Sequence, residues 1–263
     1  MTSFEVSADQ LRRYRGDGYF VVDRLFDVEE MDLLRTIARS EQHRDRDVVA
    51  RRDAQGGEIK LSVHNDLGND IYAAFVRCRR IVDTMERLLN GEVYHYHHKM
   101  ILKEPYTGGA WEWHQDYGYW YNNGCLFPYL ASCMIAVDRA TKENGCLQVI
   151  PGSHEMGRIE HGKVGDQTGA DMERVNALLQ RQTPVHCEME PGGAIFFHCN
   201  VLHCSAQNHS PNPRWAFICC YNAARNDPYK ESRHPRYSPL EKWPDERVKE
   251  IGRVQASSLE HRP

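Results

Sequence analysis

The stretch ERLLNGEVYHYHHKMILK, residues 86–103, divides the chain into two kinds of sequence. Before it, the apolar pattern predicts a helix over Ala73–Leu89, stopped by Asn90-Gly91. After it, Val93–Leu102 is rich in β-branched and aromatic residues and reads as a strand. From that point strand-like segments dominate: Leu130–Val137, Cys146–Val149, Val185–Met189, Ala194–Phe197 and Arg214–Tyr221. Turn signals separate them at Gly108-Gly109, Glu143-Asn144-Gly145, Pro151-Gly152 and Pro191-Gly192. Many strands joined by Gly, Pro and Asn turns predict a sandwich or jelly roll. The expected fold is therefore mainly β with flanking helices.

Working outward, Ser7-Ala8-Asp9-Gln10 reads as a capping box opening a helix to about Arg15. Gly16-Asp17-Gly18 breaks it, and Tyr19–Val22 reads as a strand. Asp27 opens a second helix whose apolar positions, Met31, Leu33, Leu34, Ile37 and Ala38, suit one buried face. Residues 43–60 are charged, contain glycine and read as a loop. One further helix is expected over Asp171–Arg181, and the Pro- and charge-rich stretch from Asp227 is expected to wrap the surface. No internal repeat or low-complexity segment is visible. The organisation expected is one domain over 1–263: a helical part to about 91, a β-core from about 92 to 226, and a C-terminal wrap over 227–263.

Composition excludes several classes. The 263 residues carry 33 basic and 37 acidic side chains, a net charge of −4, which gives no field suited to nucleic acid. No apolar run approaches the roughly 20 residues of a membrane span, and the first residues lack the apolar core of a signal peptide. A cytoplasmic protein is expected. The nine Cys contain no CxxC pair, so reduced thiols packed in apolar strands are expected, not a disulfide framework or a Cys-type zinc site. Fourteen His direct attention to metal ligands.

His114-Gln115-Asp116 places two ligand types two residues apart, and strand alternation would put both on one face. An HxD alone means little, and His64-Asn65-Asp66 is a second one. Downstream, FFHCNVLHCSAQNHSPNPRWAF, residues 196–217, offers His198, His203 and His209. One of these with His114 and Asp116 would complete two His and one carboxylate. That set occupies one face of a six-coordinate metal and leaves three positions open, which suits non-haem Fe(II) and oxygen chemistry.

The HQD, the later NGCLQVIPGSH, the HCSAQNHSPNPR segment and the helix–DGYFVV–helix opening resemble the phytanoyl-CoA dioxygenase family, which includes ectoine hydroxylase. The resemblance covers most of the chain and implies a double-stranded β-helix, that is, a cupin-like jelly-roll core. It implies an Fe(II)- and 2-oxoglutarate-dependent dioxygenase, a hydroxylase that consumes O2 and releases succinate and CO2. Carried onto this sequence, the iron ligands are His114, Asp116 and His203. Ser205 and Arg214 would hold the far carboxylate of 2-oxoglutarate, a role that suits an Arg fork and an adjacent hydroxyl. Trp120 matches a Trp that lines this pocket in the ectoine hydroxylase branch. His97 stands where that branch has a Gln near the cosubstrate. Related halogenases replace the iron carboxylate by a small residue, so intact Asp116 favours hydroxylation.

The competing roles are structural. His198 would be a core histidine, His209 a loop residue, His64–Asp66 a capping pair, and Lys99 and Lys103 solvated strand ends. Trp111, Trp113, Tyr117, Tyr119, Tyr121, Asn122 and Asn123 are expected to line the open side. Rings with polar tips suit a small polar or cationic substrate, such as an amino acid, a quaternary amine or an amino-phosphonate; no extended apolar stretch offers itself to a long acyl chain. Two other function classes use the same residues: a cupin-like metal-binding module without oxygenase activity, and a zinc hydrolase. The sequence leaves substrate identity and oligomeric state open.

Overall fold

The computed structural model describes residues 4–41 and 48–260. The helices are α1 (Ala8–Asp17), α2 (Val28–Glu41), α3 (Ile71–Arg77), α4 (Arg79–Leu89), α5 (Tyr117–Trp120), α6 (Met172–Leu179) and α7 (Arg247–Glu260). The strands are β1 (Tyr19–Val22), β2 (Val48–Arg52), β3 (Glu58–His64), β4 (Val93–Lys103), β5 (Trp111–His114), β6 (Leu130–Ala136) and β7 (Leu147–Val149). They continue with β8 (His161–Val164), β9 (Gln167–Ala170), β10 (Val185–Cys187), β11 (Ala194–His198), β12 (His203–Ser205) and β13 (Arg214–Ala223).

A seven-stranded sheet in the order β1-β11-β6-β13-β4-β3-β2 lies against a four-stranded sheet in the order β10-β7-β12-β5. All pairings in both are antiparallel. This is the jelly-roll core. The central strands of the large sheet, β11, β6, β13 and β4, are buried on both faces. Along β13, Trp215, Phe217, Cys219 and Tyr221 pack with Met31, Leu34, Phe75 and Ile81 of the helices. The alternate residues Ala216, Ile218 and Cys220 pack toward the small sheet with Leu147 and Val149. Double-sided burial explains why these strands read as near-continuous apolar runs. All nine Cys are buried and unpaired, as expected of thiols packed as small apolar groups.

Three expectations are corrected. The helix over Ala73–Leu89 is two helices, because Cys78 is extended and forms a bridge to Trp243, whose carbonyl accepts from Arg79 N–H. Of the expected 43–60 loop, residues 43–47 lie outside the described residues, while 48–52 and 58–64 form a hairpin. Its outer strand is almost wholly exposed, so no alternation of apolar residues betrays it. Its turn is organised by Asp53, whose carboxylate accepts from the N–H groups of Gln55, Gly57 and Ala110. The C-terminal wrap ends in α7, which packs Val248 and the flank of Ile251 into the helical layer; Gly252 lies 3.0 Å from Ile71 and Leu33 at the position where a Cβ would stand. Helical spacing was present there but weakened by Gly252 and Ser257-Ser258. Finally, β5 and β12 are too short to stand out by pattern.

A β-bulge in β4 positions the site. Cys220 pairs with His97 and Tyr221 with His95, leaving Tyr96 unpaired between them. The extra residue shifts the alternation, so Tyr94 and Tyr96 face the small sheet before it and His97, Lys99, Ile101 and Lys103 follow on that same side. His95 and His98 turn outward together, their ring nitrogens 3.1 Å apart.

Burial sets a pH prediction. Burial, then Arg77, lowers His95 to about 3; burial, then His154, lowers His198 to about 4. An unfolded His titrates near 6.5, so below that pH the unfolded chain binds more protons and stability falls as pH falls. Each such imidazole costs about 2 kcal/mol at pH 5. Urea midpoints measured from pH 7.5 down to 5 should therefore drop steadily, and a flat profile would contradict it.

Candidate metal centre and its surroundings

His114 ends β5 and His203 begins β12, and the two are cross-strand partners. Their rings lie 4.0 Å apart. Asp116 follows at a turn: its backbone is helical, φ −56° and ψ −38°, and it caps α5. The strand alternation expected to pair His114 with Asp116 is thus corrected, because the strand stops at His114 and the turn brings the carboxylate back. Tyr117 N–H donates to Cys199 O at 3.0 Å, tying that turn to the segment leading to His203.

The three side chains offer one ligand atom each, all within 4.8 Å of one another, and all three residues are buried. The imidazoles are preset. His114 Nδ1 donates to Glu112 O at 2.8 Å, and His203 Nδ1 donates to Val201 O at 2.9 Å. Each bond fixes the tautomer and leaves Nε2 with its lone pair, the arrangement that metal-binding histidines adopt. Burial first, and then His203, holds His114 well below its ordinary value; burial likewise lowers His203 against the opposing pull of Asp116. Both are neutral bases at pH 7. Asp116 Oδ2 accepts from Ser132 Oγ at 3.2 Å, whereas buried Oδ1 has no hydrogen-bond partner and lies 3.9 Å from His114 Nε2. An unpartnered buried carboxylate oxygen beside two free imidazole nitrogens fits a divalent cation.

Gln115 carries no motif signal of its own, yet it is fully buried. Its amide donates to Gly157 O at 2.7 Å and Asn200 O at 2.9 Å and accepts from Ile159 N–H at 2.9 Å. It clamps the HxD turn to the segment before His203. Gln115→Leu leaves three backbone groups unpaired, and the two that are buried, at Asn200 and Ile159, cost about 1–3 kcal/mol each. The expected outcome is a Tm drop with weakened metal binding, seen in thermal melts with and without Fe(II).

A second group lies at the other end of the same face. Arg214 opens β13 and pairs across the sheet with Lys103, the last residue of β4. Lys103 is 0% exposed and Arg214 3%, so the reading of Lys103 as a solvated strand end is corrected. Lys103 Nζ donates to Ser205 Oγ at 2.9 Å and to Ala206 O. Arg214 Nη2 donates to Gly145 O at 2.8 Å, and its buried Nε has no partner. Neither cation reaches a carboxylate within 4.0 Å among the described residues. Burial, then Arg214, pushes the Lys103 amine well down, and burial lowers Arg214 to about 10. Gly145 makes the arrangement possible: at φ +75° a Cβ would stand 2.2 Å from Ala206 O and 3.0 Å from Lys103 Nζ.

The remaining candidates separate cleanly. Trp120 and His97 pack edge to face at 5.6 Å, with His234 5.2 Å from His97 and Tyr96 5.4 Å from Trp120. His198 lies away from the triad, packed 5.4 Å from His154 and accepting from Asn200 N–H. His209 is exposed. His64 stacks on His98 at 5.3 Å and is its cross-strand partner at the end of β3. Of the aromatic residues expected to line the open side, Tyr119 and Trp111 pack on His114. Trp113 instead packs with Ile150, Ile159 and Leu202, and the Tyr117 hydroxyl is spent on Cys125 O.

The sequence model of the phytanoyl-CoA dioxygenase (PhyH) family matches residues 14–216. L-proline trans-4-hydroxylase of Streptomyces griseoviridis is 29% identical, with 85% of this chain and 89% of that protein covered. Ectoine dioxygenase of Stutzerimonas stutzeri is 26% identical over 84% of this chain and 78% of its own length. The crystal structure of EctD from S. alaskensis with 2-oxoglutarate and 5-hydroxyectoine superposes with a TM-score of 0.78 at 25% identity, covering 91% of this chain and 89% of that one. That protein has also been solved with bound Fe. No helix among the described residues is long and apolar enough to cross a membrane.

Proposed function

The chain belongs to the phytanoyl-CoA dioxygenase family, and from that premise we propose the residues with which it works as an Fe(II)- and 2-oxoglutarate-dependent dioxygenase. His114, Asp116 and His203 hold the iron; the observation that carries this is the convergence of three buried ligand atoms, with both Nδ1 atoms anchored to carbonyls. Arg214 and Ser205, joined by Lys103, hold the far carboxylate of 2-oxoglutarate. Two buried cations without a carboxylate are costly in the free protein, and a bound carboxylate supplies the missing charge. The Ser205 hydroxyl accepts from Lys103 and so keeps its own proton for the ligand. Bound together, Fe(II) and 2-oxoglutarate supply an O2-driven oxidation that yields succinate and CO2 and hydroxylates an unactivated C–H bond.

The protein's own part is placement. Ser132 orients Asp116, Gln115 locks the turn, and the β4 bulge sets Tyr96 and His97 beside Trp120 as a wall next to the metal face. His97 and Trp120 serve this wall more directly than the carboxylate clamp, which lies at the opposite end of β4. The relatives named for L-proline and ectoine act on small molecules, and a small polar substrate suits a wall of aromatic rings and imidazoles. The helical layer and the site share the large sheet, which supports one domain across the described residues. A metal-binding module without oxygenase activity, or a zinc hydrolase, has no use for the Arg214–Lys103 pair.

The test is anaerobic titration of metal-free protein with Fe(II) and 2-oxoglutarate. The visible charge-transfer band of the chelate is expected in the parent protein and absent from Asp116→Ala. Iron binding without the band would refute the cosubstrate assignment.

A further inference from the structure

Lys99 is used by neither the metal triad nor the carboxylate clamp. It stands on β4 between His97 and Lys103, on the same face as both, with its side chain 16% exposed. Its charge partner among the described residues is Asp116, with Nζ 3.9 Å from Oδ1. Oδ1 is the carboxylate oxygen left without a hydrogen bond, and at 3.9 Å from His114 Nε2 it is the one that faces the metal ligands. Once iron takes that oxygen, the ammonium faces a dication where its counter-charge was. Charges then do not balance. Iron(II), Lys99 and Arg214 bring four positive charges; Asp116 and the 2-oxoglutarate dianion bring three negative ones. One positive charge is left over beside the metal even before Lys103 is counted, and a half-buried unpaired charge is unfavourable.

The surroundings of Lys99 supply further unmet polarity. His97 and His234 approach ring to ring at 5.2 Å, and each has Nδ1 buried without a hydrogen-bond partner. Burial, and after it Lys99, pushes His97 well down; burial, then Arg233 and Lys99, lowers His234 to about 4. Both rings are neutral hydrogen-bonding groups, and both sense the same ammonium.

Resting on the dioxygenase reading above, we propose that Lys99 anchors a carboxylate of the substrate, and that the enzyme takes small carboxylic acids bearing a second hydrogen-bonding group received by His97 and His234. A carboxylate there balances the leftover charge, and a purely cationic molecule such as a simple quaternary amine is repelled. Lys99→Met keeps the apolar stem and removes the charge; Lys99→Arg restores it.

The experiment uses the full chain loaded anaerobically with Fe(II) and 2-oxoglutarate. The common amino acids are added singly, each beside its primary amide, and perturbation of the charge-transfer band reports binding without turnover. Succinate release in air follows for those that bind. The expected result is a response to one or more acids that the matching amides lack. That response weakens at least about thirtyfold in Lys99→Met and returns in part in Lys99→Arg, while 2-oxoglutarate affinity is unchanged in both. Amides binding as tightly as acids, or no acid binding at millimolar concentration, overturns the proposal and leaves the dioxygenase reading standing. A fall in 2-oxoglutarate affinity in Lys99→Met overturns it too, because Lys99 would then serve the cosubstrate. Absence of the band in the parent protein removes both readings together.

Discussion

His203→Ala is expected to abolish turnover and to raise the Fe(II) dissociation constant at least about a hundredfold, since loss of an outer partner to a ligand alone costs about 10–100-fold. The geometry leaves no substitute. The three ligand atoms lie within 4.8 Å of one another, and no other group of three or more His, Cys, Asp or Glu side chains among the described residues is so placed. His198, five residues earlier in the same segment, is the informative control. It packs against His154, and its Nδ1 accepts from Asn200 N–H. His198→Ala should lose about 1 kcal/mol of stability from that bond with iron affinity unchanged. Iron binding measured by equilibrium dialysis, beside succinate release, separates the two. Equal losses in both variants would mean that the segment, not the ligand, had been damaged.

How far this site can be read from sequence differs residue by residue. His114, Asp116, His203, Ser205 and Arg214 are legible because side-chain chemistry and short spacings within two segments identify them. Lys103 is not, because what matters is its burial opposite Arg214, and that depends on β4 and β13 pairing across more than a hundred residues. Its chemistry alone makes it a solvated strand end. Gln115 has no motif value; its role comes from three backbone groups supplied by Gly157, Ile159 and Asn200. The β4 bulge is invisible to a period-two pattern because it breaks that pattern, and YHYHH gives no apolar alternation against which to notice the slip. At the level of fold, long strands buried on both faces announced themselves. The β2–β3 hairpin and α7 did not: one is polar because it is an edge, and the other carries Gly252 where Leu33 and Ile71 press close. The break at Cys78 is tertiary in origin, imposed by Trp243 from the far end of the chain.

Arg214 and Lys103 give the second large effect, and its two readouts have opposite signs. Arg214→Leu removes the fork that faces the far carboxylate, and losing one partner of a buried charge pair weakens 2-oxoglutarate binding at least about thirtyfold, up to several thousandfold. Lys103→Met should weaken it in the same direction, since the amine also fixes Ser205. Stability of the cosubstrate-free protein moves the other way. Burial and Arg214 hold the Lys103 amine well below its ordinary value. Between that lowered value and the unfolded one near 10.4, the unfolded chain binds the extra proton, so stability rises with pH across the window and is depressed at neutrality. Lys103→Met removes the depression and flattens the slope. The lost hydrogen bonds to Ser205 and Ala206 offset part of the gain, leaving a net stabilisation at pH 7. Saturating 2-oxoglutarate with Fe(II) should reverse the order, stabilising the parent protein more than the variant. Urea denaturation at pH 7 and 9, with and without ligand, reads all four states. A variant less stable than the parent without ligand would mean that Lys103 is a structural strut, and the case for a built carboxylate clamp would rest on Arg214 alone.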